Sequence, residues 1–350
     1  MHIAQVAPLY EAVPPKLYGG TERVVANLCD ALVDLGHQVT LFATADAHTK
    51  AHLIAVRDQA IRLDATPHIS DLAAHLTMLQ EVKRRSWQFD VVHFHIDLLH
   101  FPVFEHQAQR TVTTMHGRLD LKDLPGVFRQ WPAFGLVSIS DCQRAPLPGA
   151  NWLGTVPHGL PPRQFTFCER PRGGYLAFLG RISPEKRPDV AIAFARRAGI
   201  PLKMAAKVDN VDIAYFEAVV RPLLDDPLVE FIGEIGDDDK SEFLGNALAL
   251  LFPIDWPEPF GLVMIEAMAC GTPVIAWNCG SVSEVLEDGV TGFIVNDESE
   301  ALAALARVEQ LDRRAVRRRF EERFTAATMA RRYVDVYGRL ATSRPLLRAS

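Results

Sequence analysis

Short apolar runs alternate with helical patterns along almost the whole of this 350-residue chain, and that alternation limits the fold more than any other feature. In the first half, Ile3–Ala7, Gln38–Ala43, Val91–His95, Thr111–Met115 and Leu136–Ile139 read as strands. Between the first two, Val24, Val25, Leu28, Leu32 and Leu35 recur at helical spacing over Thr21–Leu35, and Gly36 ends the run. Strands alternating with helices imply a parallel sheet covered on both faces. From Val156 to Gly174 the chain is rich in Pro, Gly and Arg and weak in periodicity, which reads as a linker. The alternation then restarts. Tyr175–Leu179, Leu202–Ala206, Val229–Ile232, Ala249–Phe252, Val274–Ala276 and Gly292–Val295 read as strands, with helical patterns near Asp189–Ala198 and Ala214–Leu224. The expectation is two open α/β domains, and ligands in such sheets bind beyond the carboxyl ends of the strands.

Composition removes several function classes. A net charge of −6 argues against nucleic acid as a partner. The five cysteines are scattered with no CxxC pair, so neither a disulfide framework nor a zinc ribbon is indicated, and reduced thiols of a cytoplasmic protein are the simplest expectation. The N-terminal Met1–Ala7 lacks a basic region before its apolar residues and reads as a strand rather than a signal peptide. No run approaches the ~18 apolar residues of a membrane span. Two stretches could rest on an anionic lipid surface. Leu72–Trp87 carries Leu76, Leu79, Val82 and Trp87 beside Lys83, Arg84 and Arg85, and a second basic cluster runs through Arg313, Arg314 and Arg317–Arg319. Mixed charge more often marks a solvated face, so at most a weak peripheral contact on the inner face of a membrane is expected.

Chemistry concentrates in the second half. Glu258-Pro259-Phe260-Gly261-Leu262 precedes an apolar helical run that holds Glu266, with Gly271 to stop it. Pro259 near the start is expected to place Glu258 at a helix mouth and Glu266 about two turns inside. A helix mouth offers free N–H groups and partial positive charge to a phosphate, and nearby carboxylates accept hydrogen bonds from hydroxyl-rich groups. An amphipathic helix with one capping Glu explains the stretch equally well. Upstream, a strand ends near Gly180, and Arg181 and Lys186 sit on the loop that follows. A forked guanidinium and a compact ammonium there could neutralise a diphosphate leaving group as a metal would. In the first half, Gly19-Gly20 precede a helix and permit close backbone approach to an anion, and His116 follows a strand at its carboxyl end. His93 and His95 share one face of a strand, but no third ligand of clear spacing follows. Asp237-Asp238-Asp239 has the Asp-x-Asp form of some metal sites, yet helix N-capping explains it more simply.

Gly180-Arg181, Lys186 and the Glu258–Glu266 pair, in this order and spacing, resemble the retaining family-4 glycosyltransferases, also known as glycosyl transferases group 1. Ala269-Cys270-Gly271-Thr272-Pro273-Val274, Glu284 through Phe293, Tyr18-Gly19-Gly20-Thr21-Glu22-Arg23 and Thr114-Met115-His116-Gly117 extend the resemblance over nearly the whole chain. The resemblance implies the GT-B fold, two Rossmann-like, doubly wound parallel-sheet domains facing across a cleft. It sets an acceptor-side domain at 1–160, a donor domain at 161–324, and a C-terminal helix at 325–343 packing back on the first. It implies a nucleotide-diphosphate sugar as donor, UDP-sugars being the commonest, an acceptor hydroxyl left unnamed, no cofactor and no essential metal. It puts His116, Arg181, Lys186 and Glu258 at the chemistry. Arg181 and Lys186 hold the diphosphate, Glu258 and His116 lie beside the sugar, and the Gly19-Gly20 loop approaches the diphosphate. The backbone of Phe260, Gly261 and Leu262, with Val263 next to it, binds phosphate, Glu266 takes the ribose, and Gly233 and Ile235 lie near the base. One departure is visible. The family's Pro-Asn-Gly at the domain boundary is here Pro157-His158-Gly159, which alters the hinge or an acceptor contact. A nucleotide-sugar epimerase of the same architecture and a non-catalytic nucleotide-sugar binder are the alternative readings.

Overall fold

The computed structural model describes residues 1–16 and 19–342. Tyr18, of the Tyr18–Arg23 motif, and residue 343, at the end of the expected C-terminal helix, lie outside the described residues. The chain divides into two compact units. The first comprises Met1–Gly159 and the helix Ala326–Thr342, and the second comprises Leu160–Thr325. The stretch expected as a linker therefore belongs to the second unit from Leu160 onward.

In the first unit, β1 (His2–Val6), β2 (Gln38–Thr44), β3 (His52–Arg57), β4 (Val91–Phe94), β5 (Thr111–Thr114), β6 (Gly135–Ser138) and β7 (Trp152–Thr155) form one parallel sheet in the order β3-β2-β1-β4-β5-β6-β7. The sequence pattern gave five of these strands and missed β3 and β7. Both are edge strands, so neither carries the continuous apolar run that burial on two faces demands of β1 or β4. Strand order reverses between β1 and β4, which makes the carboxyl ends of those strands the switch point. The helix Gly20–Asp34 buries Val24, Val25, Leu28 and Leu32, and the helix Ala326–Thr342 packs against it, with Tyr333 and Tyr337 fully buried. A core of Val6, Phe42, Phe94, Phe101, Phe104 and Phe134 fills the other face.

In the second unit, β8 (Leu176–Ile182), β9 (Leu202–Val208), β10 (Val229–Gly233), β11 (Ala249–Phe252), β12 (Val274–Trp277) and β13 (Gly292–Val295) pair in parallel in the order β10-β9-β8-β11-β12-β13. The switch point lies between β8 and β11. The helical pattern at Ala214–Leu224 is irregular in the fold. A single turn, Ile213–Tyr215, passes into a π-helical turn, Phe216–Val220, and a 3-10 turn, Arg221–Leu223. Pro222 has no N–H to continue an α-helix there.

The two proposed lipid-facing stretches fare differently. In the helix Asp71–Arg85, Met78, Leu79 and Val82 turn into the core, leaving Leu72, Leu76 and the following Trp87 exposed. The Arg313–Arg319 cluster is largely bound within its own unit. Arg313 is buried and donates to the carbonyls of Cys168, Gly245 and Ala247, and Arg317 donates to those of Pro162, Phe165 and Ala269. Arg314, Arg318 and Arg319 stay on the surface, each beside a carboxylate. Among the described residues, no helix is long and apolar enough to cross a membrane.

Candidate active site

The loops after β8 and β11 of the second unit are fastened together. The N–H of Asp255 donates to the carbonyl of Glu185 at 3.0 Å, and Arg187 Nη1 reaches Asp255 at 2.8 Å. Arg187 itself lies in the left-handed region at φ +51°, uncommon for a long side chain, and is held there by Asp189 and Asp255. This fastening sets Lys186 opposite Glu258. Lys186 Nζ donates to Glu258 Oε2, and Trp256 Nε1 donates to the same oxygen at 2.8 Å. The ammonium also lies 5.7 Å from the ring centres of both Phe252 and Trp256. Arg181, at the end of β8, is surrounded by carboxylates, with Asp212 at 3.4 Å, Asp209 at 3.8 Å and Glu185 at 4.0 Å. Burial raises the Asp212 carboxyl while the Arg181 charge opposes the shift. Both cations are thus present at one switch point, each already matched by carboxylate.

The expected position of Glu258 needs correction. The helix opens at Leu262, not at Pro259, and runs Leu262–Cys270. Gly261 precedes it at φ +77°, a conformation open to Gly, and a Cβ there would meet Met264 Cε at 2.8 Å. Glu258 therefore sits on the loop ahead of the helix, and Glu266 is its fifth residue, little more than one turn in. The first-turn N–H groups of Leu262 and Val263 lead the positive end of the helix. Gly280 shapes the Glu258 loop from outside. It lies at φ +62°, and a Cβ would stand 2.3 Å from the Glu258 nitrogen. Ser281 completes the brace, its N–H donating to the Glu258 carbonyl at 3.0 Å and its Oγ to the Phe260 carbonyl at 2.9 Å.

Glu266 is 2% exposed and accepts from Lys240 Nζ at 2.7 Å. Lys240 stands on the helix Asp237–Gly245, directly after the Gly233–Gly236 segment that includes Ile235. The Asp triplet does not cap this helix. Gly236 occupies the cap, and Asp237, Asp238 and Asp239 fill the first turn, where they meet the positive end of the dipole and where Asp237 pairs with Lys240 at 3.3 Å.

In the first unit, Gly19 leads into the helix Gly20–Asp34, and a Cβ on Gly19 would lie 2.7 Å from Pro15 Cβ. His116 follows β5. Its Nε2 is 2.8 Å from His95 Nδ1, and its ring stacks on His158 with centres 5.3 Å apart. Burial lowers His116 to about 3. Burial, and then neighbouring imidazoles, hold His93 and His95 well below the ordinary histidine value. Both ring nitrogens of His93 are engaged by Tyr337 and Thr114, and both of His95 by Gln5 and His116. Among the described residues, no group of three or more His, Cys, Asp or Glu is placed to hold a metal ion.

Lys240, Trp256, Asp209, Asp212, Gly280 and Ser281 were not anticipated. The aspartates carried a faint signal, lying beyond the carboxyl end of β9 beside β8. The others are brought in by tertiary packing alone.

A family profile described as Glycosyl transferases group 1 matches residues 169–324, and one described as Glycosyltransferase Family 4 matches residues 18–145. A phosphatidyl-myo-inositol mannosyltransferase of Mycolicibacterium smegmatis is 27% identical over 336 residues, covering 87% of this chain and 83% of the relative. Among solved structures, a glycosyltransferase involved in avilamycin A biosynthesis superimposes with a TM-score of 0.74 at 26% identity, over 98% of each chain. An Anabaena protein solved in complex with UDP and glucose shares the fold, with a TM-score of 0.72 at 16% identity over 96% of this chain and 99% of that one.

Proposed function

This chain belongs to the family-4 glycosyltransferases and has their GT-B fold, and we propose that it moves a sugar from a nucleotide-diphosphate sugar, foremost a UDP-sugar, to an acceptor hydroxyl with retention at the anomeric carbon. The observation that carries this reading is the meeting of Lys186 and Glu258 at the β8/β11 switch point. One contact puts a phosphate-binding cation beside a carboxylate able to accept from sugar hydroxyls. The positive end of the helix Leu262–Cys270 begins four residues after Glu258.

In this reading Arg181 and Lys186 neutralise the diphosphate as it departs, assisted by the N–H groups at Gly261, Leu262 and Val263 beside Phe260. Glu258 and His116 orient the sugar, Glu266 receives the ribose hydroxyls, and Gly233 and Ile235 adjoin the base. The Gly19-Gly20 backbone serves the diphosphate. The bond from the anomeric carbon to the phosphate oxygen breaks, and a bond to the acceptor oxygen forms on the same face. The acceptor proton passes to the departing phosphate oxygen. Side chains and amides supply the countercharge, so no metal or cofactor is assigned a step. Retention is supported by the family, and the choice of UDP by the Anabaena neighbour bound to that nucleotide.

Thermal shift against UDP-, GDP- and ADP-sugars tests the reading, because a ligand bound only by the folded state raises its stability by mass action. A shift with one base class, with transfer or slow hydrolysis that releases the nucleotide diphosphate, is expected. Interconversion of the sugar without nucleotide release, or binding with neither transfer nor hydrolysis, would overturn it.

A further inference from the structure

Seven side chains of the first unit form one hydrogen-bonded series beginning at His116. From His116 Nε2 to His95 Nδ1 is 2.8 Å, and from His95 Nε2 to Gln5 Oε1 is 2.8 Å. Gln5 Nε2 donates to Tyr337 Oη at 3.1 Å, and Tyr337 Oη lies 2.7 Å from His93 Nδ1. His93 Nε2 is 2.7 Å from Thr114 Oγ1, which is 2.8 Å from Tyr333 Oη. Gln5 stands on β1, His93 and His95 on or just after β4, and the tyrosines on the helix Ala326–Thr342.

The amide of Gln5 gives this series a direction, because one end only accepts and the other only donates. Gln5 Oε1 accepts, so His95 carries its proton on Nε2. A neutral imidazole has one N–H, which makes His95 Nδ1 an acceptor and His116 Nε2 a donor. His116 Nδ1 is then left with a bare lone pair. That nitrogen is buried and has no hydrogen-bond partner among the described residues. On the other side, Tyr337 Oη accepts from the amide N–H and donates its own O–H to His93 Nδ1, which leaves the His93 proton on Nε2 facing Thr114. All three imidazoles are in the same tautomer, and reversing the amide would switch all three together. Gln5, His93 and Tyr337 are 0% exposed and His95 3%, so water does not compete for these groups. The stacked ring of His158 holds the His116 imidazole flat.

We infer that Gln5 and Tyr337 are positioning residues that lock His116 as its Nε2–H tautomer, so that Nδ1 offers an acceptor to a ligand hydroxyl and disfavours a carbonyl or carboxylate oxygen. The hydroxyl preference rests on the assignment of His116 to the donor sugar, whereas the tautomer does not. The consequence for sugar choice is that a neutral hydroxylated sugar suits this nitrogen and a uronic acid presenting its carboxylate there does not.

Ring nitrogens of 15N-histidine in the intact protein, read by long-range 1H–15N correlation near neutral pH, test the lock. Signals are assigned with His93→Asn, His95→Asn and His116→Asn. The expected result is a pyrrole-type Nε2 and a pyridine-type Nδ1 in all three. Gln5→Leu and Tyr337→Phe should turn the His116 signal into a tautomer mixture and lower kcat by about 10- to 100-fold, by analogy with the partners that orient a metal-ligating histidine. The probe is nucleotide release from UDP-glucose. Gln5→Glu still accepts from His95 Nε2–H, and should restore the tautomer and most of the rate. A protonated His116 Nδ1 in the wild type overturns the inference, as does an unmixed Nε2–H tautomer in Gln5→Leu. The wild-type spectrum decides even where a variant fails to fold. The expected tautomer without transfer from any nucleotide sugar would support the lock and contradict the glycosyl-transfer reading instead.

Discussion

The ammonium of Lys186 and the carboxylate of Glu258 share a hydrogen bond although 72 residues separate them in sequence, and Trp256 donates to the same carboxylate oxygen. On the proposed function, a donor's phosphate and hydroxyls would take the place of each partner for the other. Lys186→Ala removes a phosphate cation and leaves Glu258 with the indole as its side-chain donor. Nucleotide release should fall by about 10²- to 10³-fold, the magnitude of losing one preorganised donor to a developing anion. Lys186→Arg should recover only part of this, since a planar fork does not reproduce a compact charge.

Lys240 and Glu266 form a buried pair at 2.7 Å. Lys240→Met should destabilise the protein by about 3–5 kcal/mol, because it strands a buried carboxylate. The double variant Lys240→Met/Glu266→Met should recover most of that stability in denaturant melts, since two apolar chains can replace a buried pair. On the role proposed for Glu266, it should nevertheless bind the nucleotide more weakly than wild type by titration calorimetry, which would separate a ribose contact from the packing.

Gly280→Ala tests the brace on the Glu258 loop. The substitution adds a Cβ 2.3 Å from the Glu258 nitrogen at a φ of +62°. The loop must move, so turnover should drop at least about tenfold, as expected when a positioned group shifts by a fraction of an ångström. Ala at Gly36, also at positive φ but with nothing within 4 Å of its Cβ, serves as the control and should keep full activity.

The parts of this site legible in the sequence are those fixed by local order. Gly180 and Arg181 close strand β8 and Lys186 follows it, and Gly261 and Gly271 bracket a helix, so their positions come from periodicity and caps. Glu266 lies less deep than the pattern predicts, because Pro259 fits a first-turn proline while the left-handed Gly261 starts the helix later. Lys240, Gly280 and Gln5 were illegible for one shared reason. Each matters through a partner tens or hundreds of residues away, and no local pattern marks a residue for a contact made only by the folded sheet.

Glu22, buried in the first turn of the helix Gly20–Asp34, has its carboxyl raised by burial from 4.5 to about 7. A carboxyl raised in the folded state contributes stability that is full below its unfolded value of 4.5 and is lost as pH rises through about 7. Glu22→Gln mimics the protonated form. It should match wild type in acid and exceed it by about 3 kcal/mol in mild alkali, at ~1.36 kcal/mol per pKa unit. Denaturant melts of both proteins across that interval check the sign.

Turnover of nucleotide sugars by wild type, Arg181→Ala, Lys186→Ala and the double variant, with a chelator present throughout, addresses charge neutralisation by side chains most directly. Full wild-type turnover in chelator is predicted, with a loss of about 10²- to 10³-fold for each single variant. Wild-type rates in the double variant, or a wild-type rate abolished by the chelator and restored by a divalent ion, would contradict it.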